Sequence, residues 1–154
     1  MGGNQTLEEF EKKFPSFQFV VLYHQFPPGS NRKSHWDLLL EQPNPDSFQL
    51  LCFEVSAPPQ NWEKTTSAKR LPDHREIYLT YEGPISGNRG TVAQLLKGDV
   101  QWVTQTENFL VLNLQFRWEN EKQSPIVTAA LSLTKATSEN HQGWDLKLQV
   151  CGQD

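Results

Sequence analysis

The segment His35-Trp-Asp-Leu-Leu-Leu-Glu41 sets an imidazole and a carboxylate two residues apart, and residues two apart on a strand share a face. Trp36, Leu38 and Leu40 then line one face, while His35, Asp37, Leu39 and Glu41 line the other. Same-face neighbours sit about 6.6 Å apart along a strand, near enough for both side chains to converge on one ion about 2.1 Å from each ligand atom. A solvated strand face would carry the same pattern, so His-x-Asp is half a site. His24 closes the apolar run Phe19-Val-Val-Leu-Tyr23 just before a loop rich in Pro, Gly and Ser. His74 stands in Arg70-Leu-Pro-Asp-His-Arg75, with Tyr78 four residues on, and by itself this stretch also fits a solvated basic loop. The segment from Glu82 to Gly90 packs three glycines and a proline into nine residues, a tight turn whose amides could hold an anion. It lacks the Gly-Lys-Ser/Thr of a phosphate-binding loop, and no Gly-x-Ser-x-Gly elbow or Cys in a plausible site suggests a Ser or Cys hydrolase.

Short strands must position these residues. The runs at 17–23, 35–41, 48–55, 76–81, 91–96, 100–104, 109–118, 126–133 and 144–150 are rich in Val, Leu, Phe and Trp, and turn residues such as Lys97-Gly-Asp99 separate them. About eight to nine antiparallel strands that each bury a face and protect their edges predict a mainly β fold, a small closed or partly open β-barrel. Ahead of it, Thr6-Leu-Glu-Glu9 has the form of a capping box, and Leu7, Phe10 and Phe14 share a helical face up to Pro15. A short N-terminal helix and lead-in over 1–16 is the expectation. The two long loops, Phe26 to Ser34 and Ser56 to Asp73, are where function is expected on a rigid β scaffold.

Bulk properties narrow the classes of function. A chain of 154 residues suits one domain with one core and needs neither disulfides nor structural metal to fold. The two cysteines have no metal-ligand spacing, so Cys52 reads as a buried thiol and Cys151 as a free one near the end. No apolar run approaches the roughly 20 residues that span a bilayer, and the start lacks the basic-then-apolar order of a signal peptide. These features predict a cytoplasmic protein with no membrane partner. A formal charge of −4 argues against an extended non-specific nucleic-acid surface, so any such contact should be local.

The order of these pieces resembles the 3′-phosphoesterase domain of bacterial DNA ligase D. The likeness rests on a strand ending in His24, then His35-x-Asp37-x-x-x-Glu41, then Asp73-His74 with Tyr78, then Tyr81-Glu-Gly-Pro84 and a glycine loop before a Val strand. It extends from about residue 17 to the segment Trp144–Gln149. The resemblance implies a small β-barrel, manganese-dependent enzyme that removes a 3′-terminal ribonucleotide and then a 3′-phosphate from a primer end during end joining. It implies His24, His35 and Asp37 as ligands of a divalent metal, Mn²⁺ first and Zn²⁺ or Co²⁺ as alternatives. His74 and Tyr78 would hold the scissile phosphate as catalytic residues. The partners implied are nucleic-acid 3′ ends, with ligase or polymerase activities supplied by separate proteins.

Three departures bear on activity. The family pattern carries an arginine two residues after the metal-binding Asp, where this chain has Leu39; the Pro27 to Ser34 segment lengthens the spacing between the first two histidines; and the glycine loop reads Ser-Gly-Asn-Arg-Gly instead of the family's tyrosine-glycine-alanine-glycine. Loss of a planar guanidinium weakens phosphate binding, so Arg75 and Arg89, or Arg32 and Lys33, are candidates to restore the charge. The alternative is a non-catalytic module of the same fold that keeps the metal and binds a nucleic-acid end or a protein.

Overall fold

A computed structural model of the chain describes residues 17–43, 49–118, 124–136 and 143–153. The short apolar runs form nine antiparallel strands: β1 (Phe17–Gln25), β2 (His35–Leu40), β3 (Gln49–Val55), β4 (Thr66–Arg75), β5 (Gly83–Pro84), β6 (Thr91–Gln105), β7 (Phe109–Phe116), β8 (Val127–Lys135) and β9 (Trp144–Gln153). Their order is β1-β2-β3-β4-β9-β8-β7-β6-β5, and pairing of β1 with β6 closes the sheet into a ring. The closed antiparallel architecture expected from the sequence is therefore present, with β5 as a two-residue addition beside β6. The expected N-terminal helix over 1–16 lies outside the described residues.

Three strand assignments differ from expectation. The segment 76–81 is not a strand: Glu76–Leu79 forms a 3-10 turn, and the strand lies before it, at Thr66–Arg75, in a stretch whose charges and proline suggested a loop. Pairing with β3 stabilises this polar strand where intrinsic propensity would not. The third difference is Lys97-Gly-Asp99, which is no turn, because β6 runs unbroken through it. A Cβ at Gly98 would lie 2.1 Å from the Gln115 carbonyl oxygen and 3.0 Å from the Phe19 ring, so glycine there permits the close approach of β7 and the interior.

Burial divides the ring into two halves. In β7, β8 and β9 buried and outward residues alternate, as when only one face of a sheet meets a core. Phe19, Val21, Leu38, Leu40 and Phe53 join Leu112, Leu114, Leu131 and Leu133 in that interior. The runs in β1, β2 and β3 are buried without alternation. Their other face carries a second apolar cluster, Val20, Leu22, Leu39, Leu50, Cys52, Leu79 and Val92, with Leu71, Tyr78, Tyr81 and Ile85 packed against it. The chain between Leu71 and Val92 thus roofs the outer face of these strands, and the candidate site lies under that roof.

Candidate metal centre

Register alone brings the first three residues together. His24 in β1 stands directly opposite His35 in β2, and Leu22, Asp37 and Glu54 form the next row across β1, β2 and β3. All three candidate ligands are buried: His24, His35 and Asp37 are 9 %, 6 % and 3 % exposed. His24 Nδ1 lies 3.3 Å from Asp37 Oδ2, and His35 Nε2 lies 3.0 Å from Asp37 Oδ1. Despite that short distance the buried Asp37 Oδ1 has no hydrogen-bond partner.

The outer ring nitrogens explain the inner ones. His24 Nε2 donates to the Arg89 carbonyl at 2.7 Å, and His35 Nδ1 donates to the Lys33 carbonyl at 3.0 Å, with Glu54 Oε1 at 3.3 Å. A nitrogen facing a carbonyl must carry the proton, so in the neutral ring the inner nitrogen presents a lone pair. Two imidazole lone pairs and a carboxylate then face one another, which is repulsive unless a cation or an extra proton sits among them. Atoms that share one ion at about 2.1 Å lie about 3 to 3.5 Å apart, close to the contacts seen, and all the donor atoms fall within 4.8 Å of one another. Two imidazoles and a carboxylate, each imidazole braced by a carbonyl, fit a divalent transition ion in donor type, spacing and support, so this group could hold one.

Burial pushes the pKa of His35 down, but the Asp37 carboxylate beside it, the Lys33 carbonyl and Glu54 outweigh that and leave it above 6.5. Burial likewise pushes Asp37 up, and His24 and His35 together bring it below 3.8.

The remaining sequence candidates border the same cavity of about 500 Å³: His74, Tyr78, Arg75, Arg89 and Arg32 line it together with His24, His35 and Asp37. His74 reaches it through a β-bulge: Cys52 pairs with Leu71 while Leu50 pairs with His74, so β4 has one residue more than β3 between these pairs, at Pro72-Asp73. The extra residue turns His74 onto the site face. Its Nδ1 donates to the Pro72 carbonyl at 2.9 Å, and its Nε2 lies 3.9 Å from the Cys52 thiol. Burial pushes that thiol well up, so Cys52 stays neutral beneath the site. Tyr78 packs edge-on against His74 with ring centroids 5.7 Å apart, and Arg75 lies over its other side, 5.9 Å from the centroid.

Charge in the cavity is unevenly committed. Asp73 is held by Arg70, and Arg32 is 3.7 Å from Glu54 and lies over Phe26, which stacks on His24. The Arg89 guanidinium bonds back to Ser86, and Arg75 has no carboxylate partner among the described residues. Leu39 does share the face of His35 and Asp37, but it is fully buried in the second apolar cluster and does not border the cavity. Glu41 bonds the Gln18 amide at the far end of β2 and takes no part in the centre. Glu54, Cys52 and the Arg89 carbonyl also belong to the site but were not expected there: strand register alone brings in the first two, and a backbone carbonyl leaves no sequence signal.

No helix among the described residues is long and apolar enough to cross a membrane. No family model matches the chain, and no curated protein matches it significantly.

Proposed function

We propose that the chain is a divalent-metal-dependent phosphoesterase acting on phosphate esters at 3′ ends of nucleic acid, with Mn²⁺ as the ion. The observation that carries this reading is the orphaned Asp37 Oδ1 between two carbonyl-braced imidazoles, in a cavity that His74, Tyr78 and arginines also line. An ion held by His24, His35 and Asp37 would supply positive charge and Lewis acidity at a phosphoryl oxygen. The protein's own groups do the rest. Arg75, which has no carboxylate partner among the described residues, and Arg89 bind and orient phosphate oxygens. The Tyr78 phenol donates a hydrogen bond to the phosphate, and as water attacks phosphorus and the ester P–O bond breaks, His74, anchored through Nδ1, delivers a proton from Nε2 to the leaving oxygen. The acidic overall charge suits a substrate gripped at its end, with separate ligase or polymerase proteins handling the remainder.

One observation favours the second reading, a metal-containing module that binds an end or a protein without turnover: no guanidinium stands at position 39, and Leu39 is sealed by packing. Purified protein, Mn²⁺ and labelled primer-templates ending in a ribonucleotide or a 3′-phosphate separate the two. Release of nucleoside or phosphate that Asp37→Ala abolishes supports the enzyme, whereas end binding without release supports the module.

A further inference from the structure

His35 finds the partner for its outer nitrogen two residues away in its own strand connection, at Lys33. His24 does not. Its inward nitrogen is Nδ1, next to the backbone, so the proton sits on the far tip of the ring, and the acceptor comes from a segment 65 residues away, the Arg89 carbonyl. That carbonyl is brought there by Gly90. With φ of +81°, Gly90 adopts a conformation that disfavours side chains, and a Cβ on it would lie 2.0 Å from the Gln25 carbonyl oxygen and 3.1 Å from Phe26 Cα. Both contacts are with backbone, which cannot swing aside. The Ile85 amide bonds to the Gly90 carbonyl at 2.8 Å and closes the loop, so its fit against the end of β1 is fixed from both sides.

We propose that the Ile85–Gly90 loop is a positioning device for the metal centre: the fit of Gly90 against Gln25 holds the Arg89 carbonyl on His24 Nε2, selects the Nε2–H tautomer and turns Nδ1 toward Asp37. Gly90 and the Arg89 carbonyl are positioning groups and touch neither ion nor substrate. The inference rests on the metal reading above and adds the loop as the part that sets its affinity.

Nitrogen-15 NMR of the imidazoles in the intact, metal-free protein at mildly alkaline pH tests the tautomer without any substitution. The expected spectrum has His24 protonated at Nε2, and Zn²⁺ then shifts Nδ1 of His24 but Nε2 of His35. A His24 protonated at Nδ1, or shifted by Zn²⁺ at Nε2, overturns the proposal. Calorimetry with Mn²⁺ provides the second readout. Gly90→Ala is expected to bind about 10- to 100-fold more weakly, the usual effect of disturbing a partner behind a metal-ligating histidine. Arg89→Ala, which keeps the backbone carbonyl, should bind Mn²⁺ as the wild type does. A folded Gly90→Ala protein with wild-type affinity overturns the inference while leaving the metal reading intact. Wild-type protein that binds neither ion removes the metal reading, and the metal-free tautomer still decides whether the loop holds His24.

Discussion

Replacing Leu39 by arginine is expected to destabilise the protein and not to restore a phosphate-binding group. Leu39 is completely buried, pairs with Val20 and Cys52 on its two sides, and packs in the cluster of Leu22, Leu50, Leu79 and Val92. Of the two carboxylates flanking it on that face, Asp37 is already committed to His24 and His35, and Glu41 accepts from the Gln18 amide. A guanidinium placed there has no free counter-charge, and an uncompensated buried charge costs about 3 to 5 kcal/mol. For a chain of this size that corresponds to a fall in Tm of about 6 to 20 °C, a large part of the stability a domain has. Leu39→Met conserves volume and should cost less than about 1.5 kcal/mol. The assay is thermal and urea unfolding followed by circular dichroism on wild type and both variants. A Leu39→Arg protein as stable as the wild type, with tighter phosphate binding, would refute the reasoning. It would mean the side chain escapes the cluster into the cavity.

In metal-free protein, the raised His35 contributes stability that is complete below its unfolded value near 6.5 and is lost as pH rises through its higher folded value. Asp37, depressed below 3.8, contributes above that value and loses its contribution as pH falls through the lower folded one. Unfolding in EDTA should therefore show the cluster's contribution greatest between these limits and declining on the alkaline side. With Mn²⁺ the slope should reverse, because the ion displaces the His35 proton and gains up to about tenfold in apparent affinity per pH unit below that pKa. Parallel slopes with and without Mn²⁺ would contradict this. His74→Gln should lower phosphoesterase turnover by about 10² to 10⁴ while leaving Mn²⁺ affinity unchanged, measured by single-turnover kinetics and calorimetry. Gly98→Ala should lower Tm by several degrees through its clash with the Gln115 carbonyl, and an unchanged Tm would show that β6 and β7 can separate there at little cost.

The fold was legible where apolar runs are bounded by turn residues: β1, β2, β3, β7, β8 and β9 lie close to where pattern and punctuation put them. It was misread where a residue's role depends on a neighbouring strand. Gly98 resembles a turn signal but serves a close approach of β7, and the polar stretch Thr66–Arg75 is a strand because β3 supplies its partners. The pairing of His35 with Asp37 followed from the strand period, and the addition of His24 required only an antiparallel neighbour. His74 was different, since its side is decided by a bulge that no period-two count reveals. The unbroken apolar runs of β1, β2 and β3 held one further signal: strands buried on both faces need a cover, and here the Leu71–Val92 segment supplies it and encloses the site.

Calorimetric titration with Mn²⁺ of wild-type protein and Asp37→Ala, both checked for folding, shows whether His24, His35 and Asp37 form one divalent-metal centre. One ion should bind per wild-type chain with release of a proton near neutral pH, and Asp37→Ala should show no measurable binding. Equal Mn²⁺ affinity in the two proteins, or no binding by either, would contradict that assignment.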